Sequence, residues 1–385
     1  MATMDDAANA PRPTRGQRGA DEPHTPDDPG REPAFLDLDG LQRRAQEQLP
    51  ADVYDYYAGG SGAETTLSEA TAAWRAWRLR PHVLRGVDAV QLGTSLLGTE
   101  VATPIGVAPW AYQAMAHPDG ERATARGAAA TGALMTVSTS ANTTIEDVAE
   151  LTPAGPRWFQ LYALHSRAYT DELARRAGRA GYTALVLTVD LPVLGRRLRD
   201  LRNDFALPAG LVLANHPPVQ GTQPPLQAVL TPSWTHPDIE RFAEVSGLPV
   251  VVKGVLRGDD AADCVAAGAS AVWVSTHGGR QVDPAVASAD ALPEVVAAVG
   301  DDAEVYADGG IRGGSDVVTA LALGARAVFV GRPTAWGLAT GGADGVARVL
   351  AGLTEELAHT MALCGLDDVR AVPRDTVVRT PPLLR

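Results

Sequence analysis

His277 and Arg280 stand three residues apart in the stretch Ser275-Thr276-His277-Gly278-Gly279-Arg280-Gln281-Val282-Asp283. A titratable imidazole beside a permanent guanidinium suits removal of a proton from a molecule that carries a carboxylate. The stretch follows the apolar, β-branched run Ala271 to Val274, which predicts that His277 sits where a buried strand opens into a loop. Taken alone, the segment fits equally a loop with a solvated arginine and an incidental histidine. The rest of the chain has to decide.

Seven other apolar runs end in residues that could do chemistry. They close on Ala108-Pro109-Trp110-Ala111, on Thr136-Val137-Ser138, on Phe159-Gln160-Leu161-Tyr162 and on Thr188-Val189-Asp190, with Arg196 and Arg197 just after. The others close on Lys253-Gly254, on Asp308-Gly309-Gly310-Ile311-Arg312-Gly313-Gly314 and on Gly331-Arg332-Pro333. Core packing has no use for Gln, Thr, Asp, Lys and His at successive strand ends, so their convergence points to one ligand site. The last two segments combine glycine amides with two guanidinium groups, the composition of a phosphate site. Tyr54-Asp55-Tyr56-Tyr57, ending at Gly59-Gly60, fits either plain packing at a helix end or a phenol delivered into a pocket.

The elements that must position these residues follow a β/α rhythm. The predicted strands are 105–108, 134–138, 158–162, 184–189, 250–253, 271–275, 304–307 and 327–330; helical patterns lie between them at 121–131, 167–180, 239–245, 261–267 and 316–323. Gly132, Gly181, Gly268 and Gly324 each follow a helix where a left-handed residue is wanted. Eight buried parallel strands favour a closed α/β (β/α)8 barrel, with ligands at the C-terminal strand ends. No Gly-x-Gly-x-x-Gly follows an early strand, as an open nucleotide-binding sheet would require. Before the barrel, Leu38, Leu41, Ala45 and Leu49 recur at helical spacing with Asp39 as the expected N-cap. Residues 35–103 thus read as a helical cap and 104–385 as barrel and C-terminal helices. Residues 1–34, rich in Pro, Asp, Arg and Gly, read as a disordered tail. Leu191 to about Thr235, carrying Pro208, Pro217, Pro218, Pro224, Pro225 and Pro232, reads as a long covering loop.

Composition narrows the function classes. A net charge of −13 over 385 residues argues against nucleic acid or an anionic membrane as partner, and a hydrophobic content of 45% supplies a sizeable core. Cys264 and Cys364 lie apart in apolar surroundings, so neither a metal site nor a disulfide framework is expected. No long apolar span and no apolar leader region appear, and a cytoplasmic location is the expectation.

With these motifs in place, the sequence resembles the FMN-dependent L-α-hydroxy-acid oxidases and dehydrogenases. The resemblance runs from about Phe35 to about Asp367. It rests on the stretch 275–283, on Val-Lys-Gly-Val (252–255), on Asp-Gly-Gly-Ile-Arg-Gly-Gly (308–314), and on Tyr-Asp-Tyr-Tyr (54–57), Ala-His-Pro-Asp-Gly (116–120), Phe-Gln-Leu-Tyr (159–162) and Thr-Val-Asp (188–190). Within the family, residues 58–64 and 195–208 look most like the 4-hydroxymandelate oxidase branch. The resemblance implies His277 as active-site base with Asp190 orienting it. It also implies Arg280 and Arg197 as a carboxylate clamp, and Tyr56 and Tyr162 as partners of the carboxylate and α-hydroxyl. Lys253 would stand beside flavin N1/O2. Pro109, Trp110, Ala111, Ser138, Gln160, Thr188 and Ser275 would line the isoalloxazine. Asp308 would meet the ribityl chain, and Gly310, Arg312, Gly331 and Arg332 the phosphate, with Tyr162, Gly309 and Ile311 also in contact with the cofactor.

The implied reaction is oxidation of an (S)-2-hydroxy acid to the 2-keto acid with dioxygen reduced to hydrogen peroxide. A dehydrogenase or monooxygenase fate for the electrons, or a repurposed FMN protein in a biosynthetic complex, are the alternatives. Family members are often tetramers, which implies a homo-oligomer. The chain departs from its relatives at Thr276, Val282 and Trp110. At Ser140 glycolate oxidase carries a tryptophan that closes the substrate pocket, so serine there predicts room for a bulky or aromatic substrate. Ala111, a position that tends to be alanine in oxidases, leans toward oxygen as acceptor.

Overall fold

The computed structural model describes residues 36–217 and 234–380. The tail at 1–34 and the prolines at 218, 224, 225 and 232 lie outside the described residues.

Eight strands close into an all-parallel barrel: β1 (Ile105–Val107), β2 (Met135–Ser138), β3 (Arg157–Leu161), β4 (Leu185–Thr188), β5 (Val250–Val255), β6 (Ala271–Val274), β7 (Glu304–Asp308) and β8 (Ala327–Val330). Val328 to Val330 of β8 pair with Ile105 to Val107 of β1, which completes the ring. The strands read as continuous apolar runs because both faces are covered, by helices outside and by packed side chains within. The closed (β/α)8 barrel expected from the eight runs is the fold observed. Gly132, Gly181, Gly268 and Gly324 all take positive φ between helix and strand. Trp158, Trp273, Tyr306 and Phe329 fill the lower interior, with the Trp273 and Phe329 ring centres 3.9 Å apart. Burial of each such ring stabilises the fold by about 1.5–3 kcal/mol.

Three helices precede the barrel: α1 (Leu38–Gln48), α2 (Ala51–Ala58) and α3 (Thr65–Arg75). The N-cap of α1 is Asp37, whose carboxylate accepts from the Gly40 amide at 2.8 Å, and not Asp39, which falls in the first turn. The two aspartates are both competent caps; the helix starts at Leu38, two residues earlier than a cap at Asp39 would set it. Asp283, from the loop after β6, accepts from the amides of Ala63, Thr65 and Thr66 and so pins the start of α3 to the barrel. The segment 77–101 is not helical: it holds a short antiparallel pair (Thr94–Leu96 with Thr99–Val101) and a strand, Trp77–Leu79, paired with Val377–Arg379. Among the described residues no helix is long and apolar enough to cross a membrane, no group of three metal-ligating side chains occurs, and Cys264 and Cys364 are buried thiols.

Candidate active site

At the C-terminal mouth of the barrel lies a cavity of about 1450 Å³. It is lined by residues of β3, β4, β5, β7 and β8, by the segments that follow β1 and β6, by α2, and by the described part of the long loop after β4.

His277 occupies a left-handed backbone position (φ 54°) in the turn after β6. Its Nδ1 stands 2.8 Å from Asp190 Oδ1, which leaves Nε2 as the nitrogen available to a ligand. Burial works to raise the Asp190 pKa, but the His277 imidazole and the Lys253 ammonium outweigh it and hold the carboxyl below its ordinary value. Asp190 is therefore held as an anion against His277 Nδ1. Gly254 makes this pairing possible: at φ 107° it lets β5 bulge, and a Cβ there would lie 2.6 Å from the Asp190 side chain. Lys253 Nζ donates to Ser275 Oγ at 2.7 Å and pairs with Asp308 Oδ2 at 3.1 Å.

Arg280 and Arg197 flank Tyr56, their guanidinium carbons 4.8 and 5.9 Å from its ring centre. Burial, then the Arg197 charge, pushes the Arg280 pKa down to about 10. Among the described residues neither guanidinium forms a carboxylate salt bridge, and two such neighbouring cations are a site for an anion. Tyr162 is buried beside them, and its phenol pKa is raised by burial and then by Asp190, so it stays a hydrogen-bond donor.

At the other end, the Arg312 pKa is lowered by burial and the Arg332 pKa is pushed down to about 9 by burial and then by Arg280. A Cβ on Gly331 would have no neighbour nearer than Ala108 at 4.0 Å, so there is open room beside these cations. Gly310 has another cause: its missing side chain admits the Ala70 carbonyl of α3, which a Cβ would approach to 2.3 Å. Between the two ends, Gln160 Nε2, Thr188 Oγ1, Asp308 Oδ1 and Trp110 Nε1 are buried without a hydrogen-bond partner, all on cavity-lining residues. Buried polar atoms are rarely left unmade. A flat heteroaromatic ring with a hydroxylated chain and a terminal phosphate fits them: polar atoms along the middle, cations at the end. Pro109, Ala111, Gly309 and Ile311 complete that part of the wall.

Four expected contacts come out differently. Ser138 and Ser275 stand behind the wall: Ser138 donates to Gln160 Oε1 at 3.2 Å, and Ser275 accepts from Lys253 and from the His277 amide. Ser140 is fully buried and does not line the cavity; its hydroxyl lies 3.0 Å from His216 Nε2, and the imidazole occupies the space a small residue was expected to leave. Arg332 lines the cavity, but its guanidinium donates to the carbonyls of Tyr57, Gly59 and Gly278 at 2.9–3.0 Å. Arg332→Ala should therefore yield protein largely stripped of FMN, because three buried carbonyls lose their donor as well as a cation leaving the cavity. The ratio of 450 nm to 280 nm absorbance after purification measures this, and a fully loaded variant would count against it.

Sequence reasoning gave no site role to Tyr57, Tyr112, Phe205, Leu207, Leu211, Leu213 and His216, which form part of the remaining wall. Phe205 stacks on Tyr56 with ring centres 4.7 Å apart. Phe205 and Leu207 lie in the matched stretch 195–208, which was the available signal; His216 lies in a proline-rich loop with no periodicity to mark it.

A family model described as FMN-dependent dehydrogenase matches residues 45–379. L-lactate oxidase of Nostoc sp. is 46% identical over 351 residues, covering 88% of this chain and 96% of that protein. 2-Hydroxyacid oxidase 1 of Homo sapiens is 43% identical over 364 residues, covering 91% and 98%. Among solved structures, mandelate oxidase with (S)-2-phenylpropionate superposes with a TM-score of 0.83 at 42% identity, covering 90% of this chain and 98% of that one.

Proposed function

This chain belongs to the FMN-dependent dehydrogenase family, and from that premise we propose that it oxidises an (S)-2-hydroxy acid with a bulky or aromatic side chain, of the mandelate or 4-hydroxymandelate type, to the 2-keto acid. The observation that carries this reading is the Arg280–Tyr56–Arg197 arrangement in the same cavity as the His277–Asp190 pair. It supplies a carboxylate anchor and a base in one place.

When bound, FMN supplies the two-electron acceptor; its ring would lie along Pro109 to Ala111, Gln160, Thr188 and Lys253, and its phosphate near Arg312 and Gly331. Arg280 and Arg197 hold the substrate carboxylate, and Tyr162 donates to an oxygen beside the α-carbon. His277 Nε2 takes up the proton that leaves the substrate, and the Asp190 carboxylate stabilises the resulting imidazolium. Lys253 places a fixed cation where negative charge develops. Phe205, Leu207, Leu211 and Leu213, on the loop after β4, supply an apolar wall that a phenyl ring covers better than a methyl or a hydrogen. The similarity to mandelate oxidase structures supports the same choice of side chain.

Overall, a 2-hydroxy acid plus dioxygen would give the 2-keto acid plus hydrogen peroxide, as in the oxidases to which the chain is 43–46% identical. The test is anaerobic bleaching of the bound flavin by mandelate, lactate and glycolate, followed by peroxide yield in air. Mandelate should bleach fastest, with about one peroxide per keto acid. Fastest bleaching by glycolate would overturn the aromatic assignment, and little peroxide during steady turnover would overturn the oxygen assignment.

A further inference from the structure

The loop after β4 carries a histidine that the mechanism leaves unused. His216 is buried at 6% exposure, yet it lines the cavity. Its position is built: the Ala214 amide donates to the Ala141 carbonyl at 3.0 Å, and the Asn142 side chain donates to the Val212 carbonyl at 2.8 Å. Asn215 accepts from the Ile145 amide and donates to the Thr143 carbonyl, both at 3.1 Å. These bonds clamp residues 212–216 to the segment after β2, and they set His216 Nε2 3.0 Å from Ser140 Oγ. The Tyr112 phenol sits beside the same hydroxyl, and the Tyr112 amide donates to the Ser140 carbonyl at 3.1 Å.

His216 and Tyr112, both lining the otherwise apolar part of the cavity, thus meet around the Ser140 hydroxyl behind its wall. Tyr112 is also packed on Tyr56, with ring centres 5.6 Å apart, and Tyr56 touches both arginines of the anchor. The cluster therefore belongs to the same compartment as the carboxylate clamp, on its aromatic side. Packing alone would be served by a leucine or phenylalanine, since burying an imidazole costs free energy that an apolar side chain avoids. Among the described residues, Ser140 is the sole side-chain hydrogen-bond partner of His216, which leaves Nδ1 as the ring's remaining polar atom.

We propose that His216, held by Ser140 and flanked by Tyr112, is the specificity-determining group that selects an aromatic 2-hydroxy acid bearing a ring hydroxyl over its unsubstituted counterpart. The inference rests on the aromatic 2-hydroxy-acid reading above. A phenol both donates and accepts, so it satisfies His216 Nδ1 in either tautomer. Burial pushes the His216 pKa down to about 4, which keeps the ring neutral and able to fill either role near pH 7. An unsubstituted phenyl ring leaves that nitrogen unpaired, and sites built to bond a hydroxyl reject analogues that lack it.

The test compares kcat/KM for (S)-4-hydroxymandelate and (S)-mandelate in the FMN-loaded wild type, His216→Leu and His216→Gln. It adds the Kd of 4-hydroxybenzoylformate and benzoylformate, read from perturbation of the flavin spectrum without turnover. Wild type should favour the hydroxylated ligand of each pair by about tenfold or more. His216→Leu should bring both ratios to within about twofold of unity while mandelate turnover persists, and His216→Gln should retain part of the preference. A wild type without preference, or a His216→Leu variant with the wild-type ratios, overturns the inference. Should His216→Leu fail to fold, Ser140→Ala decides: it leaves the imidazole unanchored, and an unchanged ratio overturns the assignment. If neither mandelate bleaches the flavin, the proposed function itself fails, an outcome distinct from turnover of both with no discrimination.

Discussion

His277→Ala is expected to keep its FMN and its yellow colour but to reduce that flavin with substrate about 10²–10⁴-fold more slowly, the range a positioned general base contributes. The residue offers little to the fold: apart from its amide bond to Ser275 Oγ, its described hydrogen bonding is the imidazole contact with Asp190. Its removal strips Asp190 of the partner that holds its carboxyl pKa down, so the buried aspartate will move toward the protonated form. Because the backbone at 277 is left-handed, alanine retains a strained φ of 54°. His277→Asn is the companion variant, since asparagine tolerates that conformation and separates loss of the base from backbone strain. Anaerobic stopped-flow at 450 nm measures the rate, and fast reduction in both variants would remove His277 from the role of base.

Arg280→Lys is expected to lower kcat/KM by about 10²–10³, with the loss visible in KM for substrate and in Kd for keto-acid product. Truncating one partner of a buried, hydrogen-bonded charge pair costs about 2–5 kcal/mol, and each tenfold change is about 1.4 kcal/mol. The guanidinium spends one nitrogen, Nη1, on the carbonyls of Tyr56 and Gly59 and keeps the rest of its fork for an anion. A lysine can satisfy the carbonyls or the carboxylate, but its point charge cannot span both. Steady-state kinetics with mandelate, together with benzoylformate titration, provide the measurement. A variant within threefold of wild type would place the carboxylate elsewhere.

How much of this was legible in the sequence depended on what kind of element carried each residue. Strands buried on both faces write themselves as β-branched runs, so the barrel and the identity of the strand-end residues could be read directly. Side-chain direction could not. Ser138 and Ser275 lie at the ends of the right strands, but a short strand alternates its sides and both hydroxyls turn to hold Gln160 and Lys253. Ser140 shows a further limit: a small residue predicts space only if nothing else fills it, and His216 arrives from 76 positions downstream. A loop-borne residue has no period, and its meaning lies in tertiary contacts. Arg332 was assigned by composition to an anion, whereas its nearest acceptors are three carbonyls of the chain itself. An arginine beside a helix C-terminus looks the same in sequence as one beside a phosphate, because both present oxygen acceptors.

Those carbonyls bear on where the functional module begins. The Gly59 carbonyl accepts from both Arg280 and Arg332, while Tyr56 and Tyr57 accept from one each, so the last, otherwise unsatisfied carbonyls of α2 are capped from two different barrel loops. The helical segment before the barrel is therefore a structural component of the cavity and not a detachable leader. A barrel excised at Pro104 would leave Arg280 without its two carbonyl acceptors, Arg332 with the Gly278 carbonyl alone, and the Tyr56 wall missing. For anyone recombining or minimising this scaffold, we propose that the unit to keep starts before α2, with the eight-stranded ring only part of it.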